Sequence, residues 1–534
     1  MRKLILALAF LSFSAWPLLA DEGHHHEELT PDQLGSVQFP VSCAPAAQKP
    51  FERGVALLHS FWYEEAEKEF TQIAKDDPQC AMAHWGVAMS LWHQLWNRPD
   101  AATVKRGQQE VKAAKSLKPK TDREKAYIAA IDAFYSGKGD HDARSIAYAK
   151  AMEQVYQRFP DDREGATFYA LSLLASAPPD DPTFANNKKA GAILEKLFAV
   201  EPDHPGVAHY MIHSYDEPEL AELGLPAARR YAAIAPAAPH ALHMPSHIFA
   251  RLGLWQDDID SNLASIAATR KTAAMHMGGE SHQFHAMDYL IYAYLQSGRE
   301  VEAAHVIEEV KAMPPVHDMQ DMGYDEQGYA LSQFPAMYAI ELRHWKEAAA
   351  LTPVNTPDEG NHAITYWARA IGATRSGNTA QAEKDIAEIE RIHKVYVDKK
   401  HVFFAGMIDD ARKQAAAWLA HAQGKNDEAV KMLREVADKE DKLGREPTVV
   451  PTREMLADML LEINRPAESL AEYEADLKLN PNRFNGLYGA ARAAEAAGQT
   501  EKATIYYTHL VKMCAASSSK RPELEQAKTL LAKK

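Results

Sequence analysis

Histidines are concentrated in the middle of this 534-residue chain. Nine of its 24 histidines fall between positions 204 and 285, where even scattering would place about four. They occur in three runs, HPGVAHYMIHSYDEPE, PHALHMPSHIFARLGLW and MHMGGESHQFHAMDYL. Imidazole nitrogens bind zinc, copper, nickel or iron. These runs therefore indicate a region that holds a metal ion or another ligand.

The spacing of the histidines places several of them together on helix faces. His209 and His213 are four residues apart, as are His243 and His247, and His240 precedes His243 by three. Residues three or four apart share one face of an α-helix. Two such helical pairs could supply four of the ligands of one metal ion.

The metal hypothesis names a definite set of ligands. The imidazoles predicted to bind the ion are those of His209, His213, His243, His247 and His285. A carboxylate from Asp216, Glu217 or Asp288 would complete a four- to six-ligand sphere for copper or zinc. The nearby sulfurs of Met244 and Met275 favour copper.

Two other interpretations fit the same residues. In the first, a metal-free polar groove binds a peptide or a small ligand through hydrogen bonds. Its residues would be His209, His213, His240, His243, His247, His285 and Asp288. In the second, the imidazoles are packing residues that stack on aromatic side chains such as Tyr210 and Tyr289. Spacing alone does not separate these three interpretations.

A repeated pattern of small and aromatic residues predicts the elements that carry these side chains. Ser469 and Tyr473 are followed 34 residues later by Ala503 and Tyr507, which is the period of a tetratricopeptide repeat. Near the start of the chain, two small residues, an aromatic residue and a proline have the spacing of the same repeat. They are Gly54, Ala66, Phe70 and Pro78, which are separated by 12, 4 and 8 residues. The sequence predicts an all-α fold, a right-handed α-solenoid of tetratricopeptide-like helix pairs with a long exposed groove.

The repeat register predicts which side chains face the groove. In such repeats the second, fifth and ninth positions of the first helix line the concave face, and counting back from Gly253 places His240, His243 and His247 there. Counting back from a second turn glycine, Gly298, puts His285 at the second position and Asp288 at the fifth. Successive first helices would then present imidazoles side by side.

The first residues predict export. Arg2 and Lys3 precede an apolar run over residues 4–13, and a small residue, Ala20, offers a cleavage site before Asp21, as in a secretory signal peptide. No later stretch is long and uncharged enough to span a bilayer. We therefore expect a periplasmic or secreted protein without a transmembrane anchor after cleavage.

Charge and cysteine content narrow the range of functions. The formal net charge is −15, which argues against nucleic acid as a partner. Of the three cysteines, Cys43 and Cys80 bracket the first repeat and could form a disulfide in an oxidising compartment; free thiols are the alternative. No zincin motif or serine nucleophile with an oxyanion loop is recognisable, so we expect no catalytic residues.

The sequence predicts five regions, with no obvious Gly/Ser-rich or Pro-rich linker between them. We expect a signal peptide, a disordered acidic and His-rich segment, two blocks of tetratricopeptide-like repeats, and a tail with a capping helix. These regions span residues 1–20, 21–50, 51–315, 316–516 and 517–534.

Three segments resemble a group of exported bacterial tetratricopeptide-repeat proteins. They are CAMAHWGVAMSLWHQLW, HPGVAHYMIHSYDEPELAELGLPAARRYAAIAP and PHALHMPSHIFARLGLWQDDIDSNLAS, and the resemblance covers about residues 51–298. It implies an exported helical-repeat protein and transfers no catalytic residue. The groove of the repeat array separately predicts a non-catalytic protein of the cell envelope with a protein or peptide partner.

Overall fold

In the computed structural model the chain is an all-α solenoid of tetratricopeptide-like helix pairs, which confirms the predicted fold class. The structure describes residues 29–95, 98–275, 277, 280–316 and 325–533. The predicted signal peptide lies outside them. Within these ranges no β-strand occurs, and no helix is long and apolar enough to cross a bilayer.

The helices follow one another along the chain and pack mainly against their neighbours. A 3-10 turn, Pro45–Ala47, precedes the second helix. The α-helices are α1 Pro31–Leu34, α2 Gln48–His59, α3 Tyr63–Asp76, α4 Ala81–Ser90, α5 Ala101–Ser116, α6 Asp122–Tyr135, α7 His141–Arg158, α8 Arg163–Ala175, α9 Ala185–Phe198, α10 Pro205–Tyr215, α11 Ala221–Ile234, α12 Pro239–His243, α13 Pro245–Leu252, α14 Trp255–Ala274, α15 His282–Gln296, α16 Glu300–Ala312, α17 Glu326–Glu341, α18 Trp345–Ala350, α19 Glu359–Arg375, α20 Thr379–Asp398, α21 Val402–Ala422, α22 Asn426–Leu443, α23 Thr452–Glu462, α24 Pro466–Leu479, α25 Phe484–Ala496, α26 Thr500–Met513 and α27 Pro522–Ala532.

Aromatic rings pack on glycines where helices cross, as the repeat pattern predicts. Phe70 of α3 is fully buried, and a Cβ atom on Gly54 would stand 2.8 Å from its ring, while one on Gly86 would stand 2.3 Å away. In a later repeat, a Cβ on Gly489 would be 2.2 Å from the Tyr473 ring. A larger residue at these glycines would push the helices apart, so the small positions set the spacing of the array.

The segment before the first repeat differs from its prediction. Residues 21–50 were expected to be disordered, but the described part from Leu29 onward contains α1 and the start of α2, and the side chain of Phe39 is fully buried. Its ring packs against Phe51 and Trp85 of the first repeat. Burial of the Phe39 side chain against the first repeat offsets the entropic cost of ordering this segment.

Cys43 and Cys80 form a disulfide that ties this N-terminal segment to the start of α4. Their Cα atoms are 4.7 Å apart, which is within the range for bridged cysteines. Of the two interpretations left open by the sequence, the disulfide is the one that the structure contains.

The array curls, so that late repeats contact the middle of the chain. The indole nitrogen of Trp255 donates to the carbonyl of Asn482, and the buried guanidinium of Arg483 donates to Tyr292 and bonds to Glu341. These contacts join repeats that lie far apart in the sequence. The repeat pattern does not predict these contacts, because they join residues 142 to 227 positions apart.

The end of the chain folds as predicted. Helix α27 spans the predicted capping segment, with Leu524 buried and Leu530 and Leu531 half-buried against the last repeat. Such a helix covers apolar surface that a terminal repeat would otherwise expose.

Candidate metal centre

The central histidines are carried by four helices, α10, α12, α13 and α15. Helix α10 supplies His209 and His213, and α15 supplies His285. The predicted single helix between them is broken at Pro245, which has no N–H to continue the hydrogen-bond ladder. Two short helices result: α12 carries His240 and His243, and α13 carries His247.

The first tri-histidine cluster consists of His209, His213 and His240. The Nε2 atom of His209 lies 3.1 Å from Nε2 of His213 and 3.1 Å from Nε2 of His240. The His209 side chain is fully buried, and that of His240 is 5% exposed. The ring of Phe61 packs on all three imidazoles.

One hydrogen bond fixes the tautomer of His209. Its Nδ1 lies 2.6 Å from the main-chain carbonyl of His59. A carbonyl can only accept, so Nδ1 carries the proton, and in the neutral ring Nε2 keeps a lone pair directed at the other two imidazoles.

The second tri-histidine cluster consists of His243, His247 and His285. The Nε2 atoms of His243 and His247 are 3.0 Å apart, and one ring nitrogen from each of the three residues lies within 4.8 Å of the others. His243 is 3% exposed and His247 is 8% exposed. The Tyr289 ring packs beside all three imidazoles.

Hydrogen bonds also fix the tautomer of His243. Its Nδ1 lies 2.7 Å from Oδ1 of Asn262. The amide nitrogen of Asn262 donates to the main-chain carbonyl of Asp258, which sets the orientation of the amide and makes Oδ1 the acceptor. Nδ1 of His243 is therefore the donor, and its neutral Nε2 has a lone pair.

His247 is held in the same way by a carboxylate. Its Nδ1 donates to Oδ2 of Asp216 at 2.7 Å, and Arg251 binds the other carboxylate oxygen at 3.0 Å. Although burial alone raises the pKa of the Asp216 carboxyl, Arg251 and His247 lower it below its usual value, so the group is ionised. A histidine whose Nδ1 donates to a carboxylate is the arrangement common in metal sites.

The two Nε2 lone pairs of His243 and His247 point at each other at a distance of 3.0 Å. Two facing lone pairs repel unless a cation stands between them, and that cation is a proton or a metal ion. Two nitrogens bound to one ion at metal distances are roughly 3.3–3.6 Å apart. A shift of a few tenths of an ångström would therefore convert the described geometry into a coordination site.

Burial favours the neutral form of four of the clustered imidazoles. It lowers the pKa of His243 well below the usual value, and nearby His285 lowers it further. The pKa values of His213 and His285 fall to about 3 through burial and the neighbouring His247. The pKa of His209 is likewise lowered by burial and by His213. These four rings are therefore neutral near pH 7, and neutral imidazole is the form that binds metals.

A third buried group contains two histidines that are hydrogen-bonded to one carboxylate. Glu164 bridges His59 and His204, with carboxylate oxygens 2.9 Å from Nε2 of each ring. We call these three residues the carboxylate-bridged pair. The Nδ1 atoms of the two rings accept, from the Tyr210 hydroxyl and from the main-chain N–H of Val207. Every ring nitrogen therefore has a partner, and this group needs no ion.

The predicted carboxylate ligands lie elsewhere. Asp216 binds the Nδ1 side of His247 and does not face the Nε2 atoms. Asp288, predicted at the groove, lies 2.8 Å from the hydroxyl of Thr448 and joins none of the metal-capable groups of the described residues. Burial raises its pKa to about 7. Burial likewise raises the pKa of Glu217 to about 7.

Two distant segments contact residues of the site. The end of α2 and the turn after it supply the His59 carbonyl and the Phe61 ring. In the connection after α22, the Arg445 carbonyl accepts from Arg251 at 2.5 Å and Thr448 donates to Asp288. The sequence did not predict that Asn262 and the His59 carbonyl would accept hydrogen bonds from cluster imidazoles, because each of these contacts forms only in the folded chain.

The fold and site together describe a helical-repeat protein with two buried tri-histidine clusters. No protein-family model matches the chain, and no curated protein matches it. Solved structures with a similar arrangement include human IFIT1 bound to PPP-AAAA, with 13% identity, a TM-score of 0.37, and coverage of 82% of this chain and 91% of that one.

Two further solved structures show weaker similarity. The TPR domain of P58(IPK) has 15% identity, a TM-score of 0.21, and coverage of 70% of this chain and 99% of that chain. The Naa15/Naa10 structure with HypK-THB has 10% identity, a TM-score of 0.24 and 91% coverage of both chains. At these TM-scores the similarities carry no argument about a ligand.

Proposed function

We propose that this protein is an exported, non-catalytic helical-repeat protein that binds a transition metal, copper or zinc, in its tri-histidine clusters. The observation that supports this proposal most strongly is the pair of Nε2 lone pairs of His243 and His247, 3.0 Å apart, with both Nδ1 atoms committed as donors. A metal ion is the occupant that turns this repulsion into bonding.

The donor set selects the class of metal. The metal-capable groups formed by the two clusters contain only imidazole nitrogens among the described residues. Calcium, magnesium and manganese prefer carboxylate, carbonyl and water oxygens, whereas imidazole suits zinc, copper, iron and nickel. The lack of thiolate in either cluster does not disfavour copper or zinc, since both bind all-histidine sites.

The disulfide supports the proposed location. Cys43–Cys80 is the kind of bond that persists in exported proteins and is rare in the cytosol. Together with the signal-like residues 1–20 and the segments that resemble an exported bacterial family, it supports periplasmic or secreted localisation. Membership of that family remains part of the proposal.

A protein or peptide partner in a His-lined groove receives less support. Three histidines assigned to the groove, His209, His240 and His243, are at most 5% exposed. The His59 carbonyl contacts the first cluster, and the Arg445 carbonyl contacts Arg251 beside the second. Rings this deeply buried offer a peptide little surface to bind. A partner that binds elsewhere on the repeats stays a prediction.

The metal content of purified protein tests the proposal. Untagged protein purified without chelators, or refilled from a weak copper or zinc complex, should contain stoichiometric metal by elemental analysis. A His243→Ala, His247→Ala double variant should lose the metal of the second cluster while keeping its helical circular dichroism spectrum.

The matched control replaces two exposed histidines, His305 and His509, by alanine. This variant should keep all of its metal. The proposal fails if wild-type protein takes up no metal, or if the cluster variant and the surface variant retain the same amount.

A further inference from the structure

The turn that joins α20 to α21 exposes a cluster of apolar side chains. Val397 is 51% exposed, Val402 84%, Phe403 63% and Met407 44%, whereas the other exposed large apolar residues of the described chain are scattered along it. Single exposed apolar residues are common on protein surfaces, but a cluster of them marks an interaction site. We call residues 393–407 the α20–α21 tip.

The tip extends beyond the helices on either side of it. The hydroxyl of Tyr396 donates to Asp358, immediately before the first residue of α19. On the other side, Lys439 of α22 bonds to Asp410 at 2.5 Å, and α22 ends four residues later. Because consecutive helices run in opposite directions, residues 397–405 project past both neighbouring helices.

Lysines surround the apolar side chains of the tip. Lys394, Lys399 and Lys400 are exposed, and Asp398 is the acidic residue of this segment. Three lysines and one aspartate give residues 393–407 a formal net charge of +2, while the whole chain has −15. The charge of this surface is therefore opposite in sign to that of the protein.

The two lysines at the turn are not neutralised by acidic side chains. Neither Lys399 nor Lys400 forms an ion pair with a described residue, and the amino group of Lys399 lies over the Tyr396 ring, 5.2 Å from its centre. Lys394 pairs with Glu390 at 3.4 Å but stays 70% exposed. All three amino groups can reach an anionic surface.

Apolar side chains ringed by lysines on a projecting turn match the chemistry of an anionic membrane surface. Apolar side chains enter the boundary between headgroups and acyl chains, while lysines are attracted to anionic headgroups. A second copy of this chain would bring two sets of the same lysines together, and like charges across an interface disfavour that contact. A projecting tip also reaches a flat surface without a matching cavity.

We propose that the α20–α21 tip inserts into the surface of a membrane that contains anionic phospholipids. Val402 and Phe403 enter the headgroup region, and Lys399 and Lys400 bind the lipid phosphates. The contact is peripheral. It goes beyond the proposed metal binding and is independent of it, because the tip contains none of the cluster histidines.

Sedimentation with lipid vesicles tests the proposal. The purified protein should sediment with vesicles of phosphatidylglycerol and phosphatidylethanolamine, and it should stay in the supernatant with vesicles of phosphatidylcholine alone. Added salt should weaken the binding, because it screens the attraction between lysines and phosphates.

Variants of the tip separate its two contributions. Val402→Ser, Phe403→Ser should lower the vesicle partition constant by about tenfold or more, and Lys399→Gln, Lys400→Gln should lower it roughly 30-fold. Since Val402 and Phe403 are more than half exposed, their variant should keep its helical circular dichroism spectrum.

The matched control replaces two exposed apolar residues outside the tip, Val301 and Ile505, by serine. These side chains are 54% and 59% exposed, and the control variant should bind vesicles as the wild-type protein does.

Three results would overturn the membrane contact. They are wild-type protein that does not bind anionic vesicles, a tip variant that sediments like the control, and a lipid-free dimer in light scattering that Val402→Ser, Phe403→Ser dissociates. In the last case a second copy of the chain covers the tip. Metal uptake is measured separately, so none of these results decides the proposed function.

Discussion

The carboxylate-bridged pair and the second tri-histidine cluster are both groups of buried histidines, but their ring nitrogens have different hydrogen-bond partners. In the carboxylate-bridged pair, Glu164 accepts from both rings and the remaining nitrogens accept from Tyr210 and Val207. In the second tri-histidine cluster, Asn262 and Asp216 take the Nδ1 protons and leave the Nε2 atoms facing one another. Clustering of histidines is thus not enough to indicate a metal site. The direction of the remaining lone pairs decides it.

The largest expected effect comes from removing the carboxylate of the bridged pair. Glu164→Ala leaves two buried imidazole N–H groups without an acceptor, so we expect it to lower the free energy of unfolding of the metal-free protein by about 2–5 kcal/mol. Urea denaturation measures this loss. The surface variant Glu153→Ala, which removes a pair with Lys189, should change stability by less than about 1 kcal/mol. Equal effects would show that Glu164 does not hold the two rings.

The next effect is the stabilisation that bound metal gives to the tri-histidine clusters. At a free metal concentration 100 times the dissociation constant, binding to the folded state should raise its stability by about 2.7 kcal/mol per site. Chelation should remove this gain in thermal unfolding, and the His243→Ala, His247→Ala variant should lose the gain of its cluster. A thermal midpoint that is independent of metal would contradict the assignment.

A smaller effect is expected at the carboxylate that orients His247. Asp216→Asn removes the negative acceptor of the Nδ1 proton, and loss of such a partner weakens metal affinity by roughly 10- to 100-fold. Titration against a chelator of known affinity should show the loss at the second cluster alone. Asp142→Asn, which alters a surface pair with Arg98, is the control. An Asp216→Asn variant with unchanged affinity would mean that Asp216 only anchors Arg251.

The smallest effect is expected from pH. Protons compete with metal for an imidazole only below its pKa, and burial lowers the pKa of His213 and His285 to about 3. All three imidazoles of the first cluster have lowered pKa values, so the metal affinity of that cluster should stay nearly constant from pH 7.5 to pH 6, where an exposed histidine site loses affinity as its rings take up protons. A steep decline across this interval in competition titrations would show that the rings are accessible to solvent.

The fold was largely predictable from the sequence, and the site only in part. Small and aromatic positions such as Gly54 and Phe70 repeat because helix packing is local, so their spacing predicts the solenoid correctly. The i, i+4 spacing also groups His209 with His213 and His243 with His247. Helical faces depend only on neighbouring residues, so these parts of the prediction do not require the tertiary structure.

The rest of the site depends on contacts between distant parts of the chain. Pro245 splits the helix that was expected to carry three imidazoles, and the His59 carbonyl reaches His209 from 150 residues away. The predicted carboxylate ligand Asp288 is held by Thr448, 160 residues later. Curling of the repeat array brings these residues together, and periodicity within a repeat does not encode it.

The most direct measurement is X-ray diffraction from crystals of the copper-loaded protein, with data collected on both sides of the copper absorption edge. We expect two anomalous peaks, one inside each tri-histidine cluster and about 2.0 Å from the ligating nitrogen atoms. No peak is expected at His59, Glu164 and His204. Empty tri-histidine clusters, or copper bound at the carboxylate-bridged pair instead, would contradict the proposed metal sites.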